Sequence, residues 1–384
     1  MTLPLRIDLA DLEALDRATV REVAPAVKIL LAPLAFGVRC FDQNRVIERP
    51  YPGAWREDAY TAPAIRVARV RDAVVQSCCG VMLVGLPNPE GPGDCLHMVN
   101  ETLHNVVFEE HLLVVDPETG KLIELQSAGI NRVAGRAVHL LGGGETNYYH
   151  WQVDVLAKLP QLLPDHRDDL FLLPPITLPF QQETLALAAG ARPLRFHEID
   201  RGRTVVVDDL VFVPNLNDFG WNLRHENLDL YPGLRPRGPG ERKLYLARGP
   251  SAKRPLVNEP EIIARLAAAG FDIIPLEGVS VHEQARLMAE ARVIVAPHGA
   301  GLTNLVFCGP GTTVCELHMD SYLNWVFRRM ANLLGLRYGC VVGETLGAWD
   351  PLAPHDKPWR LPLEDLEAAL SEAGALSPPS WTVA

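Results

Sequence analysis

The sequence predicts an α/β protein with a doubly wound parallel sheet, and three observations support this fold class. Strand-like and helix-like segments alternate from residue 137 onward, and the helices have about ten residues, which is typical of parallel βαβ units. Val293, Ile294 and Val295 form an uninterrupted β-branched run, as expected for a strand covered on both faces. A stretch dense in proline and glycine, residues 231–240, follows the first alternating region and indicates a linker.

The length of the chain and this linker indicate two domains. The chain has 384 residues, of which 48% are hydrophobic and 22% are charged, which is ordinary for globular proteins but too long for one small core. We expect an N-terminal domain over 1–235, whose first 136 residues are hard to assign, and a C-terminal domain over 241–345. A tail over 346–384 carries one more helix, which can pack back on the N-terminal domain.

Charge and cysteine content argue against several protein classes. The formal net charge is −11, whereas nucleic-acid-binding proteins present a basic surface. The seven cysteines have neither zinc-finger spacing nor the even number of a complete disulfide framework. The first residues lack a secretory signal pattern, and no apolar stretch is long enough to span a bilayer. We therefore expect a cytoplasmic protein without a transmembrane segment, with attachment to the inner-membrane surface as an alternative.

The elements can be predicted in chain order from periodicity and turn residues. In the N-terminal domain we expect strands over 112–115, 121–125, 137–141, 171–173, 205–207 and 211–213, with helices over 148–163, ended by Pro164, and over 181–189. Beyond the linker we expect strands over 243–247, 271–275, 292–296, 313–317 and 337–342, with helices over 260–269, 281–291, 302–307, 322–334 and 363–373.

The turn after the third C-terminal strand is the first candidate binding site. Pro297 cannot continue the strand ladder, and Gly299 and Gly301 leave the backbone around Ala300 open to a ligand. A helix beginning directly after this turn would point unpaired N–H groups at an anion. The alternative is a tight βα turn in which His298 is only a core residue.

Polar residues at other strand ends extend this candidate site. Ligands of open parallel sheets bind beyond the carboxyl ends of the strands, where we expect Arg248, Lys253 and Glu316. Cations and free amides suit a diphosphate, and a carboxylate suits ribose hydroxyls. Arg248 and Lys253 can equally be solvated loop residues, whereas Glu316 lies in an apolar run and needs partners.

A second candidate site lies on the helix that starts at Tyr148. His150 and Asp154 are spaced i, i+4 and therefore share one stripe of the helix with Lys158. A histidine with a neighbouring carboxylate can act as a general base. The alternative is an ordinary ion pair on a surface helix.

Several motifs are absent from the sequence, and this narrows the chemistry. There is no Gly-x-Ser-x-Gly elbow, no His-Glu-x-x-His zinc motif, no Walker loop and no Gly-x-Gly-x-x-Gly fingerprint. An Asp-x-Asp pair, which often holds a metal on a sugar-nucleotide diphosphate, is also missing. Without a metal ion, arginine and lysine side chains and helix N–H groups would have to neutralise the negative charge of a bound phosphate.

As an ordered set, these motifs resemble glycosyltransferase family 61. The N-terminal part of the resemblance is Asn147-Tyr148-Tyr149-His150-Trp151 with Asp154. The C-terminal part comprises Arg248, Asn258-Glu259, Gly270-Phe271, Glu283-Gln284, the segment 297–304 and Glu316-Leu317. The family includes eukaryotic xylosyl-, arabinosyl- and N-acetylglucosaminyltransferases and bacterial proteins linked to capsular polysaccharide synthesis. Eukaryotic members are lumenal with a membrane anchor, which we do not expect here, and our hypothesis is a bacterial-type member.

The resemblance implies a GT-B architecture, in which two Rossmann-like domains face across a cleft. It also implies inverting, metal-independent transfer from a nucleotide sugar, commonly a UDP-sugar, to a hydroxyl of a glycan or polysaccharide. The N-terminal domain would take the acceptor, with His150 or Asp154 as the catalytic base and His150 preferred. The donor-binding residues would be Arg248, Lys253, His298, Gly299, Ala300, Gly301, Asn304 and Glu316.

This resemblance predicts neither a cofactor nor a metal, and it leaves homo-oligomer formation open. Two other functions remain compatible with the sequence. One is a non-catalytic nucleotide-sugar-binding component of a polysaccharide assembly complex. The other is a transferase of a different group on the same fold.

Overall fold

The structure is a computed structural model, and it divides into two compact units. Unit 1 comprises Met1–Lys28 and Thr61–Leu230, and unit 2 comprises Ile29–Tyr60 and Tyr231–Ala384. The structure describes residues 5–37, 57–77, 80–87, 92–102, 113–115, 122–125, 129–218, 220–231, 233–249, 253–347 and 356–376. Within these ranges, no helix is long and apolar enough to cross a membrane.

Most strands that precede residue 213 belong to one mixed sheet in unit 1. All described strands of this region are, in chain order, β1 (Leu5–Ile7), β2 (Ala18–Ala24), β3 (Val27–Leu30), β4 (Ala59–Ala62), β5 (Ile65–Gln76), β6 (Met82–Pro87), β7 (Asp94–Val99), β8 (Leu113–Val115), β9 (Leu122–Leu125), β10 (Ile130–His139), β11 (Leu170–Leu173), β12 (Arg195–Glu198) and β13 (Thr204–Phe212). The sheet has nine strands. Eight of them lie in the order β1-β7-β6-β5-β13-β10-β11-β12, and the ninth, β2, pairs with the first half of β5. β3 and β4 pair with each other, and β8 and β9 form an antiparallel pair.

The Rossmann-like part of this sheet is limited to four strands. β13, β10, β11 and β12 are parallel neighbours, whereas β5 runs antiparallel to β13, β2 and β6. Val205 and Val207 of β13 have no exposed surface and lie in the core with Val70 and Val75 of β5. The predicted α/β class with parallel strands is confirmed, but the sheet of unit 1 is mixed.

The helices of unit 1 are α1 (Leu9–Ala14), α2 (residues 148–166), α3 (Pro179–Ala189) and α4 (His225–Leu228). α2 is α-helical over Tyr148–His150, π-helical over Trp151–Val155, 3-10 over Leu156–Lys158 and α-helical again over Leu159–His166. The prediction that Pro164 ends this helix is wrong. Pro164 lies inside the last segment, near enough to its end that its missing N–H affects only the final turn.

Unit 2 contains a six-stranded sheet whose first five strands are parallel. Its strands are β14 (Arg242–Ala247), β15 (Asp272–Pro275), β16 (Ala291–Pro297), β17 (Thr313–Met319), β18 (Arg337–Thr345) and β19 (Trp359–Arg360), in the order β15-β14-β16-β17-β18-β19. The five predicted C-terminal strands are thus confirmed. β17 is buried throughout, as a strand covered on both faces should be.

The helices of unit 2 connect these strands as the sequence predicts. They are α5 (Glu259–Ala268), α6 (Val281–Ala289), a 3-10 helix over Ala300–Phe307, α7 (Val326–Leu333) and α8 (Leu363–Glu372). Because β14 lies between β15 and β16, the chain moves to one side of β14 and then returns to the other. The carboxyl ends of β14 and β16 therefore form the topological switch point, where open α/β sheets bind ligands.

The unit boundaries differ from the predicted domains at two places. Residues 29–60 belong to unit 2, because Ala35 N–H donates to Tyr338 O at 2.8 Å and the Arg328 guanidinium donates to Ala32 O at 3.1 Å. The tail also belongs to unit 2, and its packing against the N-terminal domain stays a prediction. The side chain of Asn258 hydrogen-bonds both backbone groups of Leu361, and this long-range bond could not be read from local patterns.

Candidate functional site

Two of the predicted donor-binding residues meet at the switch point of unit 2. Arg248 directly follows β14 and His298 directly follows β16. The Nη1–H of Arg248 donates to His298 O at 2.9 Å, and its Nη2–H donates to Lys253 O at 3.0 Å. The guanidinium thus fixes both loops, and Lys253 takes part through its carbonyl group.

A second guanidinium, that of Arg254, was not among the predicted site residues. Burial and the positive charge of Arg254 lower the pKa of Arg248 to about 10, and burial lowers the pKa of Arg254. Arg254 lies over the ring of Tyr322, with 5.3 Å between the guanidinium carbon and the ring centroid. Two cations held close together against their repulsion create a positive potential that favours an anion.

The glycines of the turn have different functions. A Cβ at Gly299 would be 2.9 Å from Arg248 Nη1, so the glycine makes room for the guanidinium. A Cβ at Gly301 would be 2.7 Å from Leu276 Cδ1, so an apolar side chain fills that space. Ala300 begins the 3-10 helix and is partly exposed.

His298 and Glu316 form a buried pair next to this turn. The distance from His298 Nδ1 to Glu316 Oε1 is 2.6 Å, and the Tyr338 O–H donates to Glu316 Oε2 at 2.5 Å. Burial lowers the pKa of His298 to about 4. Burial alone would raise the pKa of Glu316, but His318 and His298 outweigh it and lower that pKa to about 2. A neutral His298 therefore donates its Nδ1–H to a carboxylate.

Two predicted donor ligands are enclosed by protein. Glu316 has no exposed surface, so the predicted direct contact with a ribose does not fit this arrangement. Asn304 also has no exposed surface, and its Nδ2–H donates to Gln284 Oε1 on α6 at 2.6 Å. Both side chains brace the turn from inside, which the motif alone did not indicate.

His298, Glu316 and His318 form a group with metal-ligating side chains, and their ligand atoms lie within 4.8 Å of one another. Zinc ligands at about 2.0–2.1 Å from a tetrahedral ion are roughly 3.3 Å apart. The 2.6 Å between His298 Nδ1 and Glu316 Oε1 is shorter than that, and Tyr338 occupies the other carboxylate oxygen. The group is arranged as a hydrogen-bonded network.

Glu259, which was not among the predicted donor-binding residues, bonds the loop that carries Arg248. Its Oε1 accepts from Arg248 N–H at 2.8 Å and from the Tyr245 hydroxyl at 2.9 Å, and its Oε2 accepts from Gly249 N–H at 3.1 Å. This carboxylate shapes the loop that carries Arg248. Asn258 occupies the N-cap position of α5, but its side chain caps no helix N–H and bonds Leu361 instead.

In unit 1, His150 and Asp154 are paired at the start of α2. The distance from His150 Nδ1 to Asp154 Oδ2 is 2.7 Å, and both side chains are largely buried. Since a carboxylate can only accept, His150 donates through Nδ1–H, and Nε2 is then the basic nitrogen of the ring. The surface-helix alternative does not fit this burial.

The glycine-rich turn before α2 positions His150. Gly144 has a φ of +78°, and a Cβ there would be 3.1 Å from the Cβ of His150. Asn147 Oδ1 accepts from Tyr149 N–H at 2.9 Å, which confirms the predicted helix cap. α2 begins beyond the carboxyl end of β10. This is the topological switch point of unit 1, because β11 lies on one side of β10 and β13 on the other.

Two further titratable side chains lie nearby: Lys158 interacts with Asp154, and His139 interacts with Lys158. Burial lowers the pKa of Lys158 to about 8, although the charge of Asp154 partly offsets this. Burial and the charge of Lys158 lower the pKa of His139, the last residue of β10, to about 3. The arrangement combines one buried carboxylate, one buried ammonium and a neutral histidine.

Residues 148–315 match the family model described as Glycosyltransferase 61. The match includes His150, Asp154, Arg248 and His298 and ends one residue before Glu316. The resemblance predicted from the motifs is confirmed over this part of the chain.

Similar proteins include two from Oryza sativa subsp. japonica, an α-1,3-arabinosyltransferase that is 32% identical over 115 residues and a β-1,2-xylosyltransferase that is 32% identical over 112 residues. A β-1,2-xylosyltransferase of Arabidopsis thaliana is 30% identical over 113 residues. The alignments cover 28%, 28% and 25% of this chain, respectively. They cover 19%, 19% and 21% of those proteins, so the chain spans about a fifth of their length. These relatives are plant proteins and do not support the predicted bacterial, capsule-related assignment, which stays a prediction.

Proposed function

We propose that this chain is a glycosyltransferase that moves a sugar from a nucleotide donor, most suitably a UDP-sugar, to a hydroxyl group of a glycan. The reaction inverts the anomeric centre and uses no metal ion. In this proposal the two units are the domains of a GT-B enzyme, with the donor on unit 2 and the acceptor on unit 1. The family match over residues 148–315 and the named activities of the relatives support the reaction class.

The observation that carries the donor site is the contact between Arg248 and His298 at the switch point. Arg248 is placed by two loop carbonyls, those of His298 and Lys253, so its orientation is set before a ligand arrives. Arg254 adds a second charge nearby. A diphosphate binds two such guanidinium groups through charge-assisted hydrogen bonds.

The same two guanidinium groups stabilise the nucleoside diphosphate as it leaves. Negative charge grows on the nucleoside diphosphate as the bond to the sugar breaks, and preorganised cations stabilise that charge. His298 and Glu316 act as positioning residues, because the pair holds the carbonyl to which Arg248 donates. The Arg pair therefore takes the role that a divalent ion has in metal-dependent transferases.

On unit 1, His150 is the general base and Asp154 orients it. The acceptor hydroxyl oxygen forms the bond to the anomeric carbon, the bond from that carbon to the phosphate oxygen breaks, and the hydroxyl proton goes to His150 Nε2. One displacement of this kind inverts the configuration. Asp154 holds the ring in the Nδ1–H tautomer and stabilises the positive charge that the ring gains.

Release of free nucleotide from a panel of nucleotide sugars, with and without glycan acceptors, tests this function. Arg248→Gln and Arg254→Gln should each weaken UDP binding in calorimetry by about tenfold or more, whereas His150→Gln should abolish turnover and leave UDP binding unchanged. Arg292→Gln removes an exposed arginine of the neighbouring strand β16 and is the matched control.

Two results would contradict the proposal. If Arg248→Gln and Arg254→Gln bind UDP as the wild type does, the assignment of the donor site is wrong. UDP binding without nucleotide release from any donor, in the presence of acceptors, would favour a non-catalytic nucleotide-sugar-binding component instead.

A further inference from the structure

The turn that follows β13, described over residues 215–218 and 220–222, is bonded to α2 on both sides of His150. Asn217 Nδ2–H donates to Val153 O at 2.7 Å, and Tyr149 O–H donates to Gly220 O at 2.5 Å. Asn217 is only 2% exposed, and Tyr149 is 7% exposed. Both bonds are therefore shielded from water, where hydrogen bonds hold their geometry best.

Asn217 also organises its own turn. Its Oδ1 accepts from Gly220 N–H at 2.7 Å, so one amide group bonds the turn with its oxygen and α2 with its nitrogen. Gly220 has a φ of +78°, and a Cβ there would be 2.9 Å from Tyr149 Cε1. A glycine at this position lets the turn approach α2 closely.

The bond from Asn217 falls on the π-helical turn Trp151–Val155, which contains Asp154. A π turn leaves the regular i→i−4 ladder and needs support from outside the helix. The side chain of Asp154 is bonded to His150 through Oδ2, whereas its Oδ1 is buried and has no hydrogen-bond partner in the part of the chain that the structure describes. The backbone of the π turn must therefore set the position of this carboxylate.

We infer that Asn217 is a positioning residue for the His150–Asp154 pair, because its side-chain amide fixes the π-helical turn that holds Asp154 against His150. The catalytic meaning of this inference rests on the proposed function, in which His150 is the base. The claim that Asn217 fixes the geometry of the pair does not rest on the proposed function, since it concerns only which tautomer His150 adopts. A histidine that loses its carboxylate partner is no longer held in the Nδ1–H tautomer.

The test compares Asn217→Asp and Asn217→Ala with the full-length wild-type chain. Aspartate keeps the size and the acceptor for Gly220 N–H but has no N–H to give to Val153 O. Asn215→Ala is the matched control, because Asn215 bonds Asp218 within the same turn. Thermal unfolding identifies variants that fail to fold, and Asn217→Ala, which buries no charge, remains available if Asn217→Asp does not fold.

Two measurements separate positioning from general damage. In ¹⁵N-histidine spectra, with His150→Gln to assign the signal, both Asn217 variants should lose the single Nδ1–H form of His150, while Asn215→Ala should keep it. In turnover assays, kcat should fall by about tenfold to a hundredfold, as for a misplaced catalytic group, and the KM for the nucleotide sugar should stay unchanged because the donor binds unit 2.

A His150 signal that is unchanged in both folded Asn217 variants overturns the inference, whatever the activity. A changed signal with an unchanged kcat supports the geometric inference and removes His150 from the proposed function. The failure of one can thus be told from the failure of the other.

Discussion

Gly299 lies directly beneath the guanidinium of Arg248, at a distance that leaves no room for a Cβ, which would be 2.9 Å from Nη1. Gly299→Ala should therefore push Arg248 away from His298 O and weaken UDP binding by about tenfold to a hundredfold, the value of one or two charge-assisted hydrogen bonds. Calorimetric titration with UDP measures this effect.

Gly301→Ala is the control for that substitution. It adds the same methyl group two residues later, where the Cβ would meet only the flexible end of Leu276. We expect nearly normal UDP affinity and a small change in stability. Equal losses of affinity in Gly299→Ala and Gly301→Ala would mean that the turn is merely intolerant of side chains and that Arg248 is not the group affected.

Glu316→Ala should destabilise unit 2. Removal of the carboxylate leaves the Nδ1–H of His298 and the hydroxyl of Tyr338 without their acceptor in a fully buried place. Breaking a buried pair by deleting one partner costs about 3–5 kcal/mol. Urea unfolding followed by fluorescence should show this loss, and Glu261→Ala, which removes an exposed carboxylate of α5, should not.

The same pair predicts that stability falls in acid. The pKa of His298 is lowered from 6.5 to about 4 and that of Glu316 from 4.5 to about 2. The unfolded chain therefore binds more protons than the folded chain from pH 6.5 down to about 2, so the free energy of unfolding decreases as the pH falls through this window. A urea midpoint that is independent of pH between 6.5 and 4 would contradict this.

Lys158 predicts that the free energy of unfolding also rises with pH in the alkaline range. Its pKa is lowered from 10.5 to about 8, with burial as the main cause. Between these values the unfolded chain binds more protons, so the free energy of unfolding rises with pH, by about 3 kcal/mol at most over the whole window. Lys158→Met should remove this rise, and urea midpoints of both proteins at pH 8 and pH 10 would show it.

Chelators should leave turnover unchanged if the reaction uses the Arg248 and Arg254 pair in place of a divalent ion. The hydrogen-bonded spacing of His298 and Glu316 supports this expectation. Nucleotide release should be the same after dialysis against EDTA and after addition of Mg²⁺, Mn²⁺ or Zn²⁺. Loss of activity on dialysis, with recovery by one of these ions, would contradict metal independence.

Much of unit 2 could be predicted from the sequence because its strands are local, apolar and separated by clear turn residues. The positions of Arg248 and His298 followed from that pattern, since consecutive parallel strands bring their carboxyl ends to one edge. Their direct hydrogen bond depends on β16 lying next to β14, and strand order is not a local property.

The surroundings of Glu316 could not be predicted for a related reason. Its apolar neighbours indicated that the carboxylate needs partners, but Tyr338 lies on the next strand and gave no signal of its own. The π turn at Asp154 was equally hidden, because Trp151–Val155 reads as an ordinary amphipathic helix. Its external support comes from Asn217, which is 64 residues away from Val153 in the chain.

The assignment of residues 29–37 to unit 2 has a consequence for synthesis on the ribosome. Ala32 N–H donates to Asn332 Oδ1, and these residues are 300 positions apart. At about 5–20 residues per second, the nascent segment waits roughly 15–60 s for its partner. Phe36, which is almost fully enclosed in the finished fold, stays without its packing surface for that time. Unit 2 can close only after Asn332 has been synthesised, and a fragment that starts at residue 231 would lack this early segment.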